Sequence, residues 1–118
     1  MATDQHQLLR DRTKKFALRI IRLSQSLPTT REANVISGQL LRSGTAVAAN
    51  YRAAGRSRSR AEFVARIGVV VEEADETVFW FELLAESGIV PGEKLTSIMQ
   101  EGNELLAIFS ASRKTAKR

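Results

Sequence analysis

Apolar residues recur at intervals of three and four in four successive stretches of this chain, and that rhythm limits it to an all-α fold. The first stripe is Leu9, Phe16, Ile20, Leu23 and Leu27, and the second is Ile36, Leu40, Ser43/Gly44, Val47, Tyr51 and Ala54. The third runs Phe63, Ile67, Val70, Ala74, Val78 (or Thr77), Phe81 and Leu84. The fourth is Leu95, Ile98, Gly102, Leu105, Phe109 and Ser112. Strand-like alternation is missing from the sequence. Four such helices with short connections predict an antiparallel up-and-down four-helix bundle crossing at shallow angles.

Punctuation residues place the helices at about residues 4–26, 30–54, 60–87 and 91–113 of a single domain, 1–118, with a basic tail. Asp4 is placed to cap the first helix. Pro28 ends it, and Gly55 suits a left-handed position after the second. Ser59 and Glu62 form a capping box that starts the third, and Gly88 stops it. Pro91 suits the first turn of the fourth.

The third helix holds more apolar residues than one stripe needs: Val64, Val69, Val71, Phe79, Trp80 and Leu83 lie off its seam. A helix apolar over most of its girth is buried on more than one side, which here implies a second subunit. The competing reading is one broad core with Phe79 and Trp80 at its margins. Small residues on the second helix (Gly44, Ala46, Ala48, Ala49 and Ala53) allow a close neighbour, from the same subunit or another.

Charge is unevenly spread. Residues 1–60 carry twelve Lys/Arg against three Asp/Glu, and residues 61–118 carry six against ten. Four arginines, Arg52, Arg56, Arg58 and Arg60, crowd the turn between the second and third helices. With Tyr51 beside them they suit phosphates and a stacked base. Basic residues of the first helix (Arg10, Arg12, Lys14, Lys15, Arg19 and Arg22) and the tail extend the patch. The candidate nucleic-acid-binding set is Arg42, Arg52, Arg56, Arg58, Arg60, Arg12, Lys15, Arg19 and Arg22. A solvated turn is the alternative.

Catalytic groups are scarce. The chain has no cysteine and one histidine, His6, read as a solvated terminal residue, so Ser-His and Cys-His nucleophiles are excluded. No Glu-x-x-His pair exists for a di-metal bundle, and the glycines lack the spacing of a phosphate-cradling loop. No catalytic, cofactor or metal residue is therefore assigned. The carboxylates of the third helix read as a solvated or salt-bridged face, with Glu73, Glu76 and Trp80 sharing one side and Arg42 a candidate partner. Asn50, inside a helix and among apolar neighbours, reads as a hydrogen-bonded anchor of the turn. The structural set is thus Asn50, Gly55, Ser59, Glu62, Glu73 and Trp80. No apolar run is long enough to span a membrane, and no signal peptide is visible. With the missing cysteines, this places the expected protein in the cytoplasm.

Gln39-Leu40-Leu41-Arg42-Ser43-Gly44-Thr45, Ala48-Ala49-Asn50, Ala61-Glu62-Phe63, Glu73-Ala74-Asp75-Glu76-Thr77 and Trp80-Phe81-Glu82-Leu83-Leu84 occur in that order. Together they resemble the four-helix bundle proteins encoded in intervening sequences of bacterial large-subunit ribosomal RNA genes. The resemblance covers roughly residues 16–117. One departure is Ala53, where that family often has glutamate. The resemblance implies a bundle that assembles as a ring-shaped homopentamer. It also implies likeness in fold to the accessory protein of diversity-generating retroelements, a basic pentamer that binds nucleic acid and a reverse transcriptase. The expectation is a non-enzymatic oligomer that binds RNA or DNA through its basic surface. The alternative is a protein–protein adaptor docking on a nucleic-acid enzyme such as a reverse transcriptase.

Overall fold

The computed structural model describes residues 2–118, with side chains from residue 5 onward. Four helices follow one another: α1 (Ala2–Ser26), α2 (Arg31–Ala54), α3 (Arg60–Glu86) and α4 (Gly92–Ala116). Each packs chiefly on its neighbour in sequence, while α1 and α4 meet only lightly. The result is the all-α antiparallel bundle that the apolar spacing predicts, 45 Å long.

The stripes make the core. Phe16, Ile20, Leu40, Val47, Ile67, Val70, Phe81, Leu84, Leu95, Leu105 and Phe109 are fully enclosed. Phe16 stands edge-on to Phe81 across the middle, and Tyr51 packs against Phe109 nearer one end. Truncating one of these phenylalanines to alanine costs about 3–5 kcal/mol in a close-packed interior. Thr77 and Val78, offered above as alternatives, are both buried. The Thr77 hydroxyl lies 2.9 Å from Ser43 Oγ and 2.7 Å from the Glu73 carbonyl, so this polar contact between α2 and α3 is satisfied.

Helix ends differ in part from expectation. Thr30 caps α2, its hydroxyl accepting from the Ala33 N–H. Ser59 caps α3 by accepting from the Glu62 N–H, but the Glu62 carboxylate receives the Arg58 N–H instead of reaching Ser59. Helix α1 begins at Ala2, so Asp4 lies within it and is not its cap. Pro91 is the residue before α4 and not part of its first turn. Gly55 is a clear correction: its φ of −64° is right-handed, and the chain leaves α2 in a tight helical turn closed by Arg56 N–H to Ala53 O and Ser57 N–H to Ala54 O. The left-handed position belongs to Gly88, with φ 77°, where Val90 N–H returns to the Leu84 carbonyl.

Gly44 sets the α1–α2 spacing. A Cβ there would overlap Ile20 Cδ1 and stand 3.3 Å from its Cγ2, whereas one at Gly38 would meet nothing within 4 Å. Gly44→Ala is therefore expected to destabilise the bundle by about 1–3 kcal/mol, since the fully buried Ile20 must shift within a packed core. Gly38→Ala is expected to stabilise it by about 0.5–1 kcal/mol through helix propensity alone. Thermal melts of the two variants check the pair, and equal shifts would show that α1 and α2 are not held this closely.

Candidate functional site

The antiparallel order brings three parts of the sequence to one end of the bundle: the start of α1, the turn at residues 55–59, and the end of α4. Residues 2–10, 51–62 and 110–118 together hold nine Lys/Arg against two Asp/Glu. Two contacts tie these segments together. Arg60 donates through Nε to the Ala116 carbonyl and through Nη2 to the Arg118 carbonyl oxygen, both at 2.6 Å, so it caps the end of α4. A cation suits that site because the last carbonyls of a helix lack intrahelical partners. His6 lies 3.0 Å from the Tyr51 hydroxyl and packs on the rings of Tyr51 and Phe63. It is not a solvated terminal residue. Burial pushes the Tyr51 hydroxyl above its ordinary pKa, and nearby Arg10 partly opposes this.

The other candidate arginines divide by their partners. Arg12 forks across the light α1–α4 seam, donating to Glu101 at 2.8 and 2.7 Å and to Glu104 at 2.8 Å. These bonds, Glu101's first, hold the Arg12 guanidinium charged far above its ordinary pKa. Arg19 donates to Ser97 Oγ at 3.0 Å on the same seam. With Arg22 and Lys94 it borders a shallow hollow of about 340 Å³. Lys15 and Arg22 are exposed. Arg42 pairs with Glu73 and Glu76 on α3, and Trp80 Nε1 donates to the same Glu76 oxygen at 3.0 Å. Asn50 donates to the Ala46 carbonyl of its own helix at 2.9 Å, so it anchors α2 internally and not the turn. Arg113 folds over Gly68, where a Cβ would come within 3.2 Å of its Nε.

Arg52, Arg56 and Arg58 are exposed and have no carboxylate within ion-pair distance among the described residues. Of the three, Arg52 borders a groove of about 470 Å³ between α1 and α2, its floor made by Ala48 and Ala49 and its walls by Arg10, Lys14 and Arg52. The sequence names Arg10 and Lys14 as extending the basic patch but leaves them out of the final binding set. They stand one helical turn apart, so both face the groove. Their i, i+4 spacing was the available signal, but it gained meaning only once the α1–α2 register was known. No group of three His, Cys, Asp or Glu side chains among the described residues is placed to hold a metal ion. None of the described helices is long and apolar enough to cross a membrane.

Residues 6–111 match the model of the 23S rRNA-intervening sequence protein family. The chain belongs to that family. A crystal structure of a protein with unknown function from the S23 ribosomal protein family of Bacteroides thetaiotaomicron VPI-5482 is 33% identical. It superposes with a TM-score of 0.85 over 92% of this chain and 97% of that one. No curated protein matches the sequence. The family match leaves the arginine-rich turn inside the shared region and the basic tail, Arg113 to Arg118, beyond it.

The Arg42–Glu76–Trp80 contact has a pH signature. The Trp80 indole, and then Arg42, hold the Glu76 carboxyl below its ordinary value of 4.5. A carboxylate depressed in the folded state contributes stability above its unfolded pKa, and that contribution is lost as pH falls through the folded value. The Tm difference between wild type and Glu76→Gln is therefore expected at neutral pH and should close as pH drops below about 4.5. The effect is modest because the pair is partly solvated. Circular-dichroism melts across pH test it, and a gap that persists in acid would remove Glu76 from the acid response.

Proposed function

We propose that this chain is a non-enzymatic, cytoplasmic homo-oligomer, the ring of five that the family resemblance implies, which binds RNA or DNA through phosphates at its basic end. The supporting observation is the convergence of nine Lys/Arg and two Asp/Glu there, with Arg52, Arg56 and Arg58 unpaired among the described residues. Unpaired surface arginines keep their guanidinium donors for phosphate oxygens and release counterions when they bind. Arg12, Arg42 and Arg60 have protein partners and serve the fold first. The non-catalytic reading is supported by the carboxylates: Glu73, Glu76, Glu101 and Glu104 are each held by an arginine.

Support for self-association comes from α3, where Phe79 is 48% exposed beside Trp80 and Val69 is 39% exposed. A second copy covers such a surface at little cost to solubility. The adaptor reading rests on the same surface, with a nucleic-acid enzyme such as a reverse transcriptase in place of the second copy.

Two measurements follow. Affinity for a single-stranded oligonucleotide should fall as salt rises, and replacing Arg52, Arg56 and Arg58 by alanine should flatten the log–log slope by about two units. Arg42→Ala should lower Tm and leave the slope alone. A salt-independent affinity, or none at low salt, rejects the binding reading. By sedimentation, the wild type should have a mass that is a multiple of 13.1 kDa, and Phe79→Ser should return it towards that value. A wild-type monomer at micromolar concentration rejects self-association.

A further inference from the structure

The groove between α1 and α2 contains a group that a simple phosphate track would not have. Asp11 stands on the wall between Arg10 and Lys14, opposite Arg52. It is exposed, and among the described residues it forms no ion pair with the cations around it. Its Oδ1 instead accepts from Gln7 Nε2 at 2.9 Å, one turn earlier on α1. No protein donor among the described residues reaches its Oδ2. Gln7 also lines the groove.

A free carboxylate beside phosphate-binding cations repels a phosphate backbone and should weaken its binding. It becomes favourable only if the ligand brings a hydrogen-bond donor to the same place. The sugar-phosphate backbone of DNA carries acceptors alone, whereas RNA adds one hydroxyl per nucleotide that can donate. Alanines on the floor leave room for a backbone to lie close, between cations for its phosphates and a carboxylate for its ribose. We infer that the α1–α2 groove selects single-stranded RNA over DNA, with Arg10, Lys14 and Arg52 holding phosphates and Asp11 accepting from a 2′-hydroxyl. The inference rests on the phosphate-binding reading above and specifies its ligand and its site.

Fluorescence anisotropy with RNA and DNA oligonucleotides of one sequence, roughly 12 nucleotides long, tests this on the full chain at matched salt. The wild type should prefer RNA by about 3- to 10-fold, the range of one net hydrogen bond. Asp11→Ala should bring the ratio near one while strengthening DNA binding, because a repulsive charge is gone. Asp11→Asn, which keeps an acceptor oxygen, should retain part of the preference. The double variant Arg10→Ala, Lys14→Ala should weaken both ligands. All three sites of change, Arg10, Asp11 and Lys14, are exposed, groove-lining positions on a helix surface, and circular dichroism confirms folding. Equal wild-type affinities, or a preference that survives Asp11→Ala, overturn the inference. Salt-dependent binding that ignores Arg10, Lys14 and Asp11 overturns the groove alone and leaves the phosphate reading standing. Absence of binding to either oligonucleotide defeats both.

Discussion

Burial of one apolar stripe per helix is the interaction on which everything else here depends. The chain has no cysteine to cross-link it, so side-chain burial must hold the helices in register. Phe16, Phe81 and Phe109 are shut away completely. Gly44 lets α1 settle onto α2 closely enough for Ile20 to enter that core. Register then decides electrostatics. Because α1 runs against α2 and α3 against α4, cations far apart in sequence meet at one end, and carboxylates of α3 and α4 face arginines of α2 and α1.

This arrangement sorts arginines by task. Arg12, Arg42 and Arg60 have partners on other helices and stitch the bundle at its surface. The partly exposed ion pairs of Arg12 and Arg42 contribute little to stability, so they fix geometry more than they hold the fold, while Arg60 caps backbone carbonyls at the end of α4. Arg52, Arg56 and Arg58 have no such engagement among the described residues, and the meeting of Arg52 with Arg10 and Lys14 at the α1–α2 groove is a product of folding.

Much of the fold was legible because burial obeys periodicity. The stripes named from spacing alone are nearly the observed core, and Thr77 and Val78 both proved to belong to it. Local end signals were less transferable. Gly55 and Gly88 each follow a helix, yet only Gly88 is left-handed, since the turn after α2 tightens in right-handed geometry. The capping role of Asp4 failed because helix continues upstream of it. At the candidate site, the cluster of arginines was visible but their partners were not. The Arg12 pairing with Glu101 spans 89 positions, and His6 meets Tyr51 across 45. Such contacts follow from register, which no local window contains. Arg42 was the exception, because Glu73, Glu76 and Trp80 advertised a shared face at helical spacing.

The light contact between α1 and α4 carries a consequence for how the molecule opens. Three of the four interfaces a closed ring would need are broad, and the fourth is light, held by the packing of Phe16 near Gly102, the Arg12 fork and the Arg19–Ser97 bond. Local openings draw on the least-packed elements, so α1 is the leaf of this bundle with the lowest cost of release. Its detachment would uncover Phe16 and Ile20 and dismantle one wall of the basic groove at the same moment. Core solvation and loss of the basic groove are thereby one event, and a polyanion seated between α1 and α2, as proposed above, would act as a clasp on the whole domain.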